Sequence, residues 1–162
     1  MPQFETLWDH HPCNNGEKYP CKDKSGKPVF ENQCAIRMGV CLERSGVSTK
    51  DFTGQRCRHG HNSGHIIRAE ELANWLQFNK HQFGSLNIFK SDKAYREALG
   101  HIKLKRGIIF FRNFWGPGSQ GDHIDLWNRL YTTRELQSII GALIPSLSGY
   151  GRSQEVWFWE MS

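Results

Sequence analysis

A cysteine at the start of an amphipathic helix and a histidine on a strand are the residues of this chain best suited to covalent chemistry. Cys34 follows the capping-type residues Asn32 and Gln33, and the segment it opens continues Ala35-Ile36-Arg37-Met38-Gly39-Val40. The first turn of a helix has backbone N–H groups with no intrahelical partner, and the aligned peptide dipoles add partial positive charge there. Both favour a thiolate, the nucleophilic form of cysteine. A small buried apolar residue is the other reading of such a cysteine. His123 comes much later, in Gly121-Asp122-His123-Ile124-Asp125-Leu126-Trp127-Asn128. Alternation there puts His123, Asp125 and Trp127 on one face of a strand and Ile124 and Leu126 on the other. A histidine can take the thiol proton and return it to a leaving amine, while a third polar group orients the imidazole. Asp125 shares the face of His123 and suits that task, with a solvated strand carboxylate as the alternative.

These residues need a helix and a sheet to bring them together. Cys34, Met38, Cys41 and Leu42 share one face of the expected helix, and Gly46 closes it as a C′ residue. Gly39 inside it costs about 1 kcal/mol against alanine, and it leaves room for another segment to approach. Upstream, the spacing of Phe4, Leu7 and Trp8 predicts a short helix that Pro12 ends, followed by a polar surface loop over 13–28. Downstream, a helix is expected from Arg68 to Phe78, with Glu70 and Glu71 in its first turn. A short strand follows at Leu86–Phe89, then a surface helix capped by Ser91 and stopped at Gly100. Gly107–Arg112 is apolar on both faces, hence a central strand. Gly116-Pro117-Gly118 turns the chain into an antiparallel pairing with His123–Trp127. Thr133–Leu143 carries Leu136, Ile139, Ile140 and Leu143 at helical spacing before Pro145, and Val156–Trp159 is a last buried strand. The fold class is therefore α+β, with residues 1–162 as a single domain.

With 38% hydrophobic and 23% charged residues, the chain suits a globular domain with a proper core. No apolar run approaches the ~20 residues that span a bilayer, and the start Met1-Pro2-Gln3-Phe4-Glu5 lacks the features of a secretory signal. The net charge of +5 favours an anionic partner such as a cell-wall polymer. The basic residues are scattered apart from Lys103, Lys105 and Arg106, which argues against a nucleic-acid footprint. Five cysteines leave one thiol over if the others pair. With Cys34 free, three pairings are possible. Joining sequence neighbours gives Cys13–Cys21 and Cys41–Cys57 in an oxidising compartment, and five reduced thiols are expected in a cytosol. His59, His61 and His65 lie close together near Cys57 but lack a recognised zinc spacing, so a polar loop is expected there, with no metal and no cofactor.

The two motifs together resemble a known family. Asn32-Gln33-Cys34-Ala35-Ile36-Arg37-Met38 and Gly121-Asp122-His123-Ile124-Asp125-Leu126-Trp127-Asn128 are similar to the type VI secretion amidase effectors of family four. These are compact cysteine amidases related to the NlpC/P60 peptidases. The late strand Val156–Trp159 is also similar to the family's end, so the resemblance runs from about Phe30 to Trp159. It implies a papain-like fold, in which the helix bearing the cysteine packs on a small antiparallel sheet. It also implies an antibacterial toxin made without a signal peptide, loaded into a type VI secretion apparatus and acting in the periplasm of a rival cell. The implied reaction is hydrolysis of the γ-D-glutamyl–meso-diaminopimelate bond of peptidoglycan stem peptides, and the implied partner is a cognate immunity protein. The nucleophile carries to Cys34 and the base to His123. The family's third residue is an acid some ten positions after the histidine, where this chain has Tyr131-Thr132-Thr133-Arg134-Glu135. Either Asp125 or Glu135 then fills the role, and Asp125 is the one expected. Trp115 and Trp127 suit a substrate groove or the core, and Arg37 a substrate carboxylate or a structural ion pair. Two other readings of the same residues are a papain-like protease or transglutaminase acting on protein, and a non-enzymatic basic module that binds cell-wall or nucleic-acid polyanions.

Overall fold

Ile108, Ile109, Phe110 and Phe111 are all buried, which requires a strand covered on both faces. The computed structural model describes residues 1–59, 64–115, 121–133 and 150–162, with the backbone alone at 114 and 115. Four helices, α1 (Phe4–His10), α2 (Cys34–Arg44), α3 (Ala69–Phe78) and α4 (Ala94–Ile102), accompany five strands among these residues. The strands are β1 (Ser85–Lys90), β2 (Arg106–Trp115), β3 (Gly121–Asn128), β4 (Tyr131–Thr132) and β5 (Glu155–Glu160). They form one sheet in the order β1-β5-β2-β3-β4, and every pairing is antiparallel. The mixed helical and antiparallel architecture expected from the sequence is present.

The two faces of the sheet carry separate cores. Ile108 and Phe110 of β2, Ile124 and Leu126 of β3, and Trp157 and Trp159 of β5 pack against α1, α2 and α3. Ile109, Phe111, Trp127, Val156 and Phe158 point the other way and are covered by Ala94, Ala98 and Ile102 of α4 and by Tyr150. Trp127 is thus a core residue, and its indole N–H donates to the Ile102 carbonyl at 3.1 Å. The side chain of Trp115 lies outside the described residues.

Cys34, Met38, Cys41 and Leu42 are all buried along α2, as their spacing requires. Gly46 follows the helix with φ 81°, the left-handed conformation that a C′ glycine supplies. Gly39 admits Ile66, whose side chain would stand 3.4 Å from a β-carbon at that position. Ile66 belongs to a segment folded back on itself through the antiparallel bridge Arg56–Ile66.

Two expectations are corrected. Ser91 does not cap α4; its hydroxyl accepts the Lys93 N–H at 3.0 Å, and the helix starts at Ala94. Gly100 does not end the helix, which continues to Ile102, because burying Ile102 on β2 outweighs the roughly 1 kcal/mol helical cost of glycine. The expected helix Thr133–Leu143 lies outside the described residues beyond Thr133.

Phe110 is fully buried and meets Trp157 edge-on at 5.5 Å in the centre of the larger core. Phe110→Ala is expected to cost about 3–5 kcal/mol, measured as a lowered urea unfolding midpoint at unchanged slope.

Candidate active site

α2 reaches the sheet at the edge of β3. Among the described residues, β4 pairs only with Trp127 and Asn128, and no described strand pairs with the earlier part of that edge. The first residue of α2 lies there. Cys34 Sγ lies 3.9 Å from the Asp122 carbonyl oxygen, and the Ile124 N–H and the His123 side chain both hydrogen-bond to it. The strand partner of His123 is Phe111, after which the register of β2 shifts. In that irregular stretch Asn113 takes φ 52°, and its N–H donates to the Asp122 carboxylate at 2.8 Å. A bulge of this kind re-aims the side chains beside it.

His123 is held on three sides. Its Nε2 is 3.3 Å from Asp125 Oδ2, which leaves Nδ1 for the sulfur. Its ring stacks on Tyr150 at 5.8 Å and on Phe111 at 6.3 Å. Aromatic faces at that range favour a cation. Asp125 is held as firmly. Its Oδ1 accepts the Leu126 N–H at 2.8 Å and the Thr133 hydroxyl, and His11 Nε2 stands 3.7 Å away. His11 Nδ1 accepts the Cys13 N–H at 3.3 Å, so the proton of the neutral ring sits on Nε2, facing the carboxylate.

The charges follow from these contacts. Burial opposes ionisation of Cys34, but the hydrogen bond and charge of His123, the Ile124 N–H and the Arg37 guanidinium outweigh it. The thiol is held below the ordinary cysteine value. Burial would lower His123 as well, yet its hydrogen bonds to Asp125 and Cys34 raise it to about 9. Burial would raise Asp125, but the hydrogen bonds from His123 and Thr133 keep its carboxyl well below the usual carboxylate range. The contacts favour the charged forms of Cys34, His123 and Asp125, and a thiol, an imidazole and a carboxylate so arranged are the groups that nucleophilic acyl chemistry uses. Burial pushes the Cys13 and Cys21 thiols up to about 11, and Cys41 higher still.

A model of the type VI secretion system amidase effector protein 4 family, Tae4, matches residues 30–159. The chain belongs to this family. It is an amidase effector of type VI secretion. The fold agrees with solved Tae4 structures. The effector from Salmonella typhimurium, in complex with the immunity protein Tai4 from Enterobacter cloacae, superposes with a TM-score of 0.67 at 17% identity, over 100% of both chains. The Enterobacter cloacae Tae4–Tai4 complex gives 0.64 at 16% identity, over 100% of this chain and 99% of that one. No curated protein matches the chain.

The other site residues of this Tae4 member can now be placed. A cleft of about 260 Å³ opens beside Cys34, lined by Asn32, Arg68, Glu70, Glu71 and Asp122 among others. The Cys34 N–H donates to Asn32 Oδ1 at 3.2 Å, so Asn32 caps the first turn of the helix. Arg37 donates to the Lys18 carbonyl at 3.0 Å. Glu135 lies outside the described residues, whereas Asp125 is in contact with His123. Sequence reasoning missed His11, Thr133 and Tyr150, which reach the site from three distant segments and share no local pattern with it.

The disulfide expectation is corrected. Neither Cys13–Cys21 nor Cys41–Cys57 is joined. Cys13 sits beside His11, and the Cys41 thiol donates to the Leu7 carbonyl at 3.1 Å. Cys21 meets Cys57 instead, at 4.0 Å. His65 joins that pair, with Nδ1 3.6 Å from the Cys57 sulfur. His59 stacks edge-on against Phe30, and His61 lies outside the described residues.

His11 carries a stability prediction of its own. Burial lowers its pKa to about 4 in the folded protein, against about 6.5 when unfolded. Between these values the unfolded chain binds more protons, so stability falls as the pH drops from 6.5 towards 4. His11→Asn is expected to remove that part of the slope in urea unfolding measured across this pH range.

Proposed function

We propose that this effector is a papain-like cysteine amidase of the NlpC/P60 kind, spanning residues 1–162 as one domain. It cleaves the γ-D-glutamyl–meso-diaminopimelate bond of peptidoglycan stem peptides in the periplasm of a rival cell. The observation that carries the chemistry is the contact of Cys34 at the start of α2 with His123, whose Nε2 lies 3.3 Å from Asp125 Oδ2. Cys34 Sγ attacks the amide carbonyl and forms a tetrahedral oxyanion. The oxyanion takes over the Cys34 N–H now held by Asn32 Oδ1, at the positive end of α2. His123 gives its proton to the leaving amine and the C–N bond breaks, leaving a thioester. His123 then draws a proton from water as the water attacks the thioester. Collapse releases the carboxylate product and restores the thiolate–imidazolium pair. Asp125 keeps the imidazole oriented and favours its charged form throughout.

The cleft fits a stem peptide in its charges. Glu70, Glu71 and Asp122 make the lining acidic and suit an ammonium group, with Arg68 paired to Glu71 at 3.1 Å and Arg112 to Glu70. The net charge of +5 favours approach to an anionic sacculus. Purified protein should release new free amines from isolated sacculi, and Cys34→Ala should release none. Asp125→Asn should retain activity reduced roughly 10²–10⁴-fold. Turnover should fall as the pH rises through about 9, because His123 then loses the proton it gives to the amine. An active Cys34→Ala variant would overturn the assignment. A transglutaminase would instead transfer the acyl group to an added amine.

A periplasmic immunity protein follows from this reading, since the producer's own wall carries the same bond. The two similar Tae4 structures described above are complexes with Tai4. We expect the cognate immunity protein to insert a loop into the Cys34–His123 cleft. Amine release should stop at an equimolar ratio of that protein. Undiminished release in its presence would refute blockade of the cleft.

A further inference from the structure

Cys21, Cys57 and His65 take no part in the reaction, yet their side chains converge. Cys57 and His65 face each other across the Arg56–Ile66 bridge, where the Cys57 N–H donates to the His65 carbonyl at 2.8 Å. Cys21 arrives from the loop that precedes α2. The two sulfurs are 4.0 Å apart, His65 Nδ1 is 3.6 Å from the Cys57 sulfur, and the three ligand atoms lie within 4.8 Å of one another. A tetrahedral zinc ion with Zn–S near 2.3 Å and Zn–N near 2.0–2.1 Å sets its sulfurs about 3.8 Å apart and each sulfur about 3.5 Å from the nitrogen. Both short separations are therefore close to those that zinc imposes. A disulfide needs its sulfurs at about 2.05 Å, roughly half the separation found.

The surroundings also suit a bound cation. The His65 backbone N–H donates to the Cys57 sulfur at 3.1 Å, a contact that stabilises a thiolate ligand. Both cysteines are buried, and His65 is half-buried. Soft thiolates with an imidazole select zinc over magnesium or calcium.

We propose that Cys21, Cys57 and His65 form a zinc site that clamps the loop before α2 to the folded-back segment carrying Cys57 and His65. Water takes the fourth position. The clamp bears on the start of the helix through Gln33. The Cys21 N–H donates to Gln33 Oε1 at 2.9 Å, and Gln33 Nε2 donates to the Cys21 carbonyl at 2.8 Å. Gln33 is fully buried and immediately precedes Cys34. Ile36 of α2 packs on the same two cysteines. The site is structural, and it stands whether or not Cys34 is the nucleophile.

The test uses the full chain, reduced, loaded with Zn²⁺, desalted and analysed for metal. Wild type and Cys34→Ala should each retain about one zinc ion per chain, and Cys57→Ser should fall to background. Co²⁺ in place of zinc should give the tetrahedral d–d bands and the thiolate charge-transfer absorption of a two-sulfur site. Should Cys57→Ser fail to fold, His65→Gln leaves both thiols in place and should weaken Co²⁺ binding at least tenfold. Removing zinc with a chelator should lower the melting temperature of wild type. The proposal is overturned by wild type that retains no zinc, by equal retention in Cys57→Ser, or by unchanged Co²⁺ binding in His65→Gln. It is also overturned if the metal-loaded protein has the mass of a Cys21–Cys57 disulfide.

Discussion

The site depends on a buried carboxylate that is never left without partners. Asp125 has 3% of its surface exposed, and a lone carboxylate moved from water to such a place would take up a proton instead of staying charged. Three donors and a nearby ring prevent this: the Leu126 N–H, the Thr133 hydroxyl and His123 Nε2 donate, and His11 Nε2 stands 3.7 Å away. They come from three separate stretches of chain, so the carboxylate becomes fully supported only when the fold closes around it. The imidazolium gains from that charge, and the thiolate from the imidazolium. Removing one partner of such a chain strands the others in a low-dielectric interior, so its members act as a unit.

The second constraint is where the helix meets the sheet. His123 and Asp125 lie on the face that α4 covers, whereas α2 packs with Ile124 and Leu126 on the opposite face. A helix lying wholly on one face could not reach side chains on the other. Among the described residues β4 pairs with β3 only at Trp127 and Asn128, and no described strand covers that edge beside His123. The start of α2 reaches past that edge, so Cys34 meets backbone groups of β3 together with the histidine ring. The shifted register of β2 opposite Asp122 shapes the same corner.

Much of this was legible in the sequence, because local spacing carries it. The buried stripe of α2, the two-sided burial of β2 and the alternation in β3 are periodicities, and they put Cys34, His123 and Asp125 on the right elements. Boundaries were less legible. Gly100 looks like a stop until Ile102 is seen packed on β2. The cysteine pairing was illegible for a stronger reason. Nearness in sequence favours Cys13 with Cys21, but Cys13 sits beside His11, whereas Cys21 packs with Ile36 and with Cys57, 36 residues away. His11 and Tyr150 were equally hidden, since nothing in their own neighbourhoods mentions the residues they touch.

The start of α2 shows how these constraints converge on one thiol. Helices gain stability from acids in the first turn, and α3 has Glu70 and Glu71 there. α2 has none. An acid at that position would satisfy the helix dipole, but it would also repel the thiolate and any oxyanion formed beside it. Gln33 occupies the N-cap position without a capping bond and spends its amide on Cys21 and Phe30 instead. Asn32 supplies a neutral acceptor for the Cys34 N–H. The helix thus forgoes an acid in its first turn, and the Cys34 thiol there is held below its ordinary value by His123, the Ile124 N–H and Arg37. The stability given up there is recovered in the buried face of Met38, Cys41 and Leu42 and in the packing around Gln33.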